Sequence, residues 1–126
     1  MPVKVEVSLG ELVDKITILT IKSERITDSV NLAAVNRELD SLKLTLEEYP
    51  VRVHEVFVEN LYKVNNELWD IEDRLRELEK DKRFDAEFVR KARQVYYMND
   101  HRFRLKDRIN QLDPSGFREV KSYEGY

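Results

Sequence analysis

The stretch Ser8–Ile26, SLGELVDKITILTIKSERI, decides the fold. At 100° per residue, Leu12, Val13, Ile16, Leu19 and Ile26 form the stripe of an amphipathic helix. Ile18 and Ile21 fall on the far side, with Ile18 bracketed by Glu11, Asp14, Lys15, Lys22 and Arg25. A helix with one neighbour needs only one apolar face. The spacing therefore places this helix centrally, against its own bundle and a second surface, either a partner subunit or a ligand cleft. Ser8 and Glu11 have the spacing of a capping box, and Val7 and Leu12 that of its hydrophobic staple.

Before this helix, Val3, Val5 and Val7 alternate with Lys4 and Glu6, the pattern of a short strand or of an extended arm lying on the bundle. After it, Thr27-Asp28-Ser29 favours a turn and cap. Leu32, Val35, Leu39, Leu42 and Leu46 then predict a second, single-striped helix to Glu48, ended by Pro50. Pro50 can open the third helix. Its seam is Phe57, Leu61, Val64, Leu68, Ile71, Leu75 and Leu78, a sustained heptad. About 30 residues make a helix roughly 45 Å long, longer than the ~36 Å diameter of a compact chain of this size. A second stripe on it, Val51, Val58, Tyr62 and Trp69, is either covered by another helix or serves as an interface anchor or cleft wall. Asp85 caps a fourth helix with the seam Phe88, Ala92, Val95, Met98, Leu105, Ile109 and Leu112. Asp113-Pro114-Ser115-Gly116 stops it, and Phe117–Tyr126 forms a tail that lies on the bundle or pairs with Val3–Val7. The expected fold is a single all-α domain, an antiparallel four-helix bundle with long third and fourth helices.

Composition narrows the function. The 126 residues are 37% charged and 41% hydrophobic, with 3 Gly and 3 Pro, a mix suited to long amphipathic helices rather than disorder. A formal charge of −3 gives no basic surplus for nucleic acid. Without cysteine there are no disulfides, thiolate metal sites or cysteine nucleophiles. MPVKVEV lacks the apolar run of a signal peptide, and no segment has the ~20 apolar residues of a membrane span. A cytoplasmic chain is expected.

Three constellations could carry chemistry. Glu11, Asp14, Lys15, Lys22 and Arg25 ring Ile18; read plainly, they are a solvated face with Glu11–Lys15 as an ion pair. Glu67 and Asp70 have a metal-binding E-x-x-D spacing, but no E-x-x-E precedes them, and hard cations need several oxygens at once. No metal or cofactor is therefore expected. Asn99, Arg102 and Lys106 share an inward-facing side of the fourth helix. They either neutralise buried carboxylates, Glu72 or Asp73 being the expected partners, or form a phosphate or carboxylate site. Gly-rich phosphate loops and nucleophile elbows are absent.

These motifs carry a resemblance. SLGELVDKITIL from Ser8, IKSERI from Ile21, NELWDIEDRL from Asn66, NDHR from Asn99, LKDRIN from Leu105 and EVKSY from Glu119 resemble a family of small uncharacterised bacterial and phage proteins, classed as a domain of unknown function. The resemblance covers nearly the whole chain. It implies no activity; some members sit near glycosyltransferase genes for surface polysaccharides. The candidate binding residues are Glu11, Asp14, Lys15, Lys22, Arg25, Trp69, Glu72, Asp73, Asn99, Asp100, Arg102 and Lys106, and the polar residues of the resembling motifs also include Lys121–Tyr123. The opening helix alone, with DKI-x-IL from Asp14 and then Lys22 and Arg25, is also similar to that of helical chorismate mutases. That likeness implies cationic side chains around a dicarboxylate, chemistry that electrostatics alone can catalyse.

Two functions are expected from different classes. The first is a non-enzymatic interaction or accessory module, linked to surface-glycan or phage functions, a homodimer through its first and third helices with a possible protein partner. The second is a binder of anionic metabolites, or a mutase-like enzyme, in which Lys15, Lys22, Arg25 and Arg102 converge.

Overall fold

Four side-chain caps set the helix boundaries. The computed structural model describes Met1–Tyr126 and contains α1 (Leu9–Arg25), α2 (Ser29–Glu48), α3 (Glu55–Lys80) and α4 (Ala86–Asn110), with no strand. Ser8 Oγ accepts from Glu11 N at 3.1 Å, Asp28 Oδ2 from Asn31 N at 2.8 Å, and Asp85 Oδ1 from Phe88 N at 3.2 Å. Each bond satisfies a donor that the first helical turn leaves free. At α1 only half of the expected capping box forms, because the Glu11 carboxylate turns to Lys106 instead. Val7, the outer half of the expected staple, is 48% exposed.

Two expected boundaries move. Pro50 does not open α3; His54 does, its Nδ1 accepting from Val56 N at 3.1 Å. Val51 and Val53 thus lie in the connector, packed against the core. The helix has 26 residues, about 39 Å at the usual rise. α4 stops at Asn110, leaving Leu112 outside it and partly exposed. Between α3 and α4, Lys82 takes the left-handed conformation (φ 56°), and Arg83 N reaches back to Leu78 O at 2.9 Å.

The main apolar stripe of α1 serves two neighbours, α2 and the α3–α4 pair. Leu9 and Val13 pack with Leu61, Val64 and Leu68 of α3 and Leu105 and Ile109 of α4. Leu12, Ile16 and Leu19 pack instead with Leu39 of α2, flanked by Val35, Leu42 and Leu46. Thus α1 touches all three other helices, whereas α2 touches α1 alone. Ile21 is buried and Ile18 half-buried, so the second face of α1 is covered within the chain. The second stripe of α3 is also engaged: Val58 borders the core, Tyr62 bonds Glu24, and Arg25 lies over Trp69.

Gly10 sets how closely α1 and α4 approach. A Cβ there would lie 2.5 Å from the Lys106 carbonyl oxygen and 2.8 Å from Asn110 Oδ1. The Gly10 N–H donates to that same Asn110 oxygen at 2.7 Å. Residues 1–7 form neither a strand nor a packed arm; they are exposed throughout. The tail from Phe117 has no regular structure and makes no backbone hydrogen bond to them.

Candidate functional site

The most buried polar cluster is assembled where α1 crosses α4. Asp14 is fully buried. A carboxylate there is tolerable only if its oxygens are bonded. Arg102 supplies a two-pronged bond: Nε to Oδ1 at 3.0 Å and Nη2 to Oδ2 at 2.5 Å. Asn65 Nδ2 adds a bond to Oδ1 at 2.8 Å and another to Thr17 Oγ1 at 2.9 Å. The Thr17 hydroxyl in turn donates to the Asp14 carbonyl at 2.7 Å. One turn further along α4, Lys106 Nζ lies 2.7 Å from Glu11 Oε2, 3.1 Å from Glu119 Oε2 and 3.9 Å from Asp14 Oδ2. Two cations thus face three carboxylates.

Titration follows from these contacts. The hydrogen bond to Asp14 holds the Arg102 guanidinium above its ordinary range. Burial pulls the Lys106 ammonium down, but Glu11 and Glu119 together outweigh it, and it too stays above its ordinary range. Both cations are therefore charged near neutrality. They are neutralised from inside the chain, which leaves them little capacity for a second anion.

The expected partners of Arg102 are corrected here. Glu72 and Asp73 are exposed and form no ion pair; Arg102 pairs with Asp14 of α1. Seam periodicity shows that Arg102 points inward, but not which helix lies opposite. The expected Glu11–Lys15 pair is also replaced. Lys15 meets Glu38 of α2 at 3.2 Å, and Glu11 meets Lys106.

A second cluster closes the other end of α1. Arg25 donates from Nη1 to Asp70 Oδ1 and from Nη2 to Asn66 Oδ1, both at 2.8 Å, and its guanidinium carbon sits 5.4 Å from the centre of the Trp69 ring. Tyr62 donates to Glu24 at 2.7 Å. Asp100 belongs to a third group: it accepts from the Tyr126 hydroxyl, whose ring packs 4.6 Å from Tyr97 and 5.5 Å from Tyr96. Lys121 lies over Phe103, 5.5 Å from its centre.

The candidate residues therefore divide. Glu11, Asp14, Arg102 and Lys106 meet; Arg25 and Trp69 meet elsewhere; Asp100 meets the tail. Lys22 and Asn99 are half-buried without an ion pair or side-chain hydrogen bond, and Glu72 and Asp73 face outward. Lys15, Lys22, Arg25 and Arg102 do not converge, since three of them hold different carboxylates on different elements. No group of three His, Asp or Glu could hold a metal ion, and no helix is long and apolar enough to cross a membrane. Asn65, Thr17, Asn110 and Gly10 are members the sequence reading missed. Asn65 carried a usable signal: it lies four residues after Leu61 and three before Leu68, a polar residue on the α3 seam.

The fold and this cluster define an all-α, four-helix protein with a buried polar junction between its first and last helices. The chain belongs to the Family of unknown function (DUF6165), whose profile matches residues 3–125. No curated protein and no solved structure matches it.

Proposed function

We propose that this chain is a non-enzymatic interaction module that docks a protein partner through the outward face of α4. One observation carries the reading. Ala86, Val89, Arg90, Arg93, Gln94 and Tyr97 line a shallow groove on that face. Val89 and Tyr97 are 53% and 44% exposed, and neither arginine has a carboxylate within ion-pair distance. These residues recur three and four apart, so they form one stripe along the helix. Exposed aromatic and apolar groups beside unpaired arginine match the make-up of interface centres. The chemistry suits an acidic amphipathic helix, its apolar side chains on Val89 and Tyr97 and its carboxylates on Arg90 and Arg93. The buried junction supports the same reading, because its charged groups bind one another and hold the helices that present this face. A homodimer belongs to this reading as well. With both faces of α1 covered within one chain, a second copy would meet it on another surface.

The test is photo-crosslinking in the source cell, with a photoreactive residue at position 89 and a control at position 73 on α3. Crosslinks to a defined protein at 89, abolished by Arg90→Glu with Arg93→Glu at unchanged helicity, are expected. Crosslinks at 73 but none at 89 would overturn the proposal.

A further inference from the structure

Residues 3–7 have the sequence of a strand and the surroundings of none. Val3, Val5 and Val7 are 89%, 77% and 48% exposed. No backbone group of residues 1–7 takes part in a hydrogen bond within the chain. Alternating β-branched side chains suit a pleated surface buried on one face, and an unpaired row of N–H and C=O groups is a template for another strand. The helical bundle has no sheet to offer it.

The order of charges selects the partner. We propose that Val3–Val7 pairs antiparallel with the same segment of a second copy, about a twofold axis through Val5. In that register Val3 lies opposite Val7, Val5 opposite Val5, and Lys4 opposite Glu6, twice over. All six valines share one face and both ion pairs share the other. Other registers fail. Sliding by two residues sets Lys4 against Lys4 or Glu6 against Glu6, and sliding by one sets valine against charge. Parallel pairing in register, the one parallel arrangement with twofold symmetry, also opposes like charges. Attachment to the sheet edge of an unrelated protein would not need this self-complementarity.

The surroundings fit. Ser8, at φ −69° and ψ 157°, keeps the backbone extended up to the first residue of α1. A two-stranded ribbon alone is marginal in water, so its valine face needs cover. Glu119 is tied through Lys106 to Glu11, which brings Phe117 and Val120, 58% and 79% exposed, toward the start of α1. They are exposed apolar groups of the tail that can provide that cover.

The test measures mass by sedimentation velocity across a concentration series. The wild-type chain is expected to rise from the 15.1 kDa monomer toward twice that mass. Lys4→Glu places like charges opposite each other in both pairs and is expected to weaken the dimer roughly ten- to thirtyfold, as is Glu6→Lys. Mixing the two single variants, or combining them in one chain, restores complementarity and should restore the dimer. Positions 4 and 6 are exposed, so unchanged helicity by circular dichroism separates loss of pairing from loss of fold. A wild-type chain that stays monomeric at every concentration would overturn the proposal. So would a dimer indifferent to Lys4→Glu, or a mixture that does not recover.

Discussion

Arg102 of α4 grips both carboxylate oxygens of Asp14 of α1, a contact between residues 88 positions apart in sequence. Asp14 has 1% of its side chain exposed and Arg102 28%. Removing one partner strands the other. Arg102→Met is expected to destabilise by about 3 kcal/mol, the lower end of the range for broken buried pairs because Arg102 keeps some water. Asp14→Leu with Arg102→Met should recover much of that loss, since two apolar groups leave no orphan charge. Urea denaturation of the single and double variants closes the cycle; additive losses would show that the two residues do not act as a pair.

Gly10→Ala separates helix propensity from packing. Alanine is the better helix former by about 1 kcal/mol, so an unpacked site would be stabilised. Here the new methyl meets backbone oxygen at 2.5 Å, which cannot turn aside as a side chain can. A net loss of about 1–3 kcal/mol is expected, read as a lower melting temperature.

Lys82 should respond in the opposite direction. Its φ of 56° carries a steric cost for any side chain that glycine escapes. Lys82→Gly keeps the Arg83–Leu78 bond that closes the α3 end and is expected to stabilise by about 1 kcal/mol. An unchanged denaturation midpoint would count against this account.

Alkaline pH should loosen the structure in a defined window. Lys106 is held above its ordinary 10.5. A raised folded-state value means that its contribution is complete below 10.5 and fades as pH climbs through the folded value. The phenols of Tyr49 and Tyr62, bonded to Asp113 and Glu24, are raised from 10.0 and act in the same sense. Tyr126, bonded to Asp100, is pushed up to about 12. Ultraviolet titration should therefore show a late-ionising tyrosine. Asp100→Asn should return it toward 10.0, and its persistence in that variant would dissociate Tyr126 from Asp100.

Helix number and most boundaries were legible because caps are local: Ser8, Asp28 and Asp85 each lie within three residues of the donor they satisfy. His54 hid the start of α3 because Pro50 offered a more familiar signal four residues earlier. The apolar seams were legible by period, and so was the inward turn of Arg102 and Lys106. Their partners were not. Asp14 sits between Val13 and Lys15 in a charged stretch, and only the crossing of α4 makes it the most buried carboxylate of the chain. The two apolar sides of α1 suggested an outside surface, whereas its main stripe is shared between α2 and the α3–α4 pair, and on its far side Ile21 is buried and Ile18 half-buried within the chain. Asn65 and Thr17 were missed because each bonds a residue that sequence order leaves distant or unremarked.

Because α2 rests on α1 alone and buries only Leu39 fully, it has the thinnest hold of the four helices. Such an element can open as a unit while the remainder stays folded. Amide exchange in α2 should then proceed at a rate set by this local release, faster than in the seams of α3 and α4. Each opening bares Leu12, Ile16 and Leu19 together, while Leu9 and Val13 stay sheltered against Leu61 and Ile109. Such openings place in the native ensemble a hydrophobic strip that the closed fold conceals, a site at which a chaperone would engage the helical bundle.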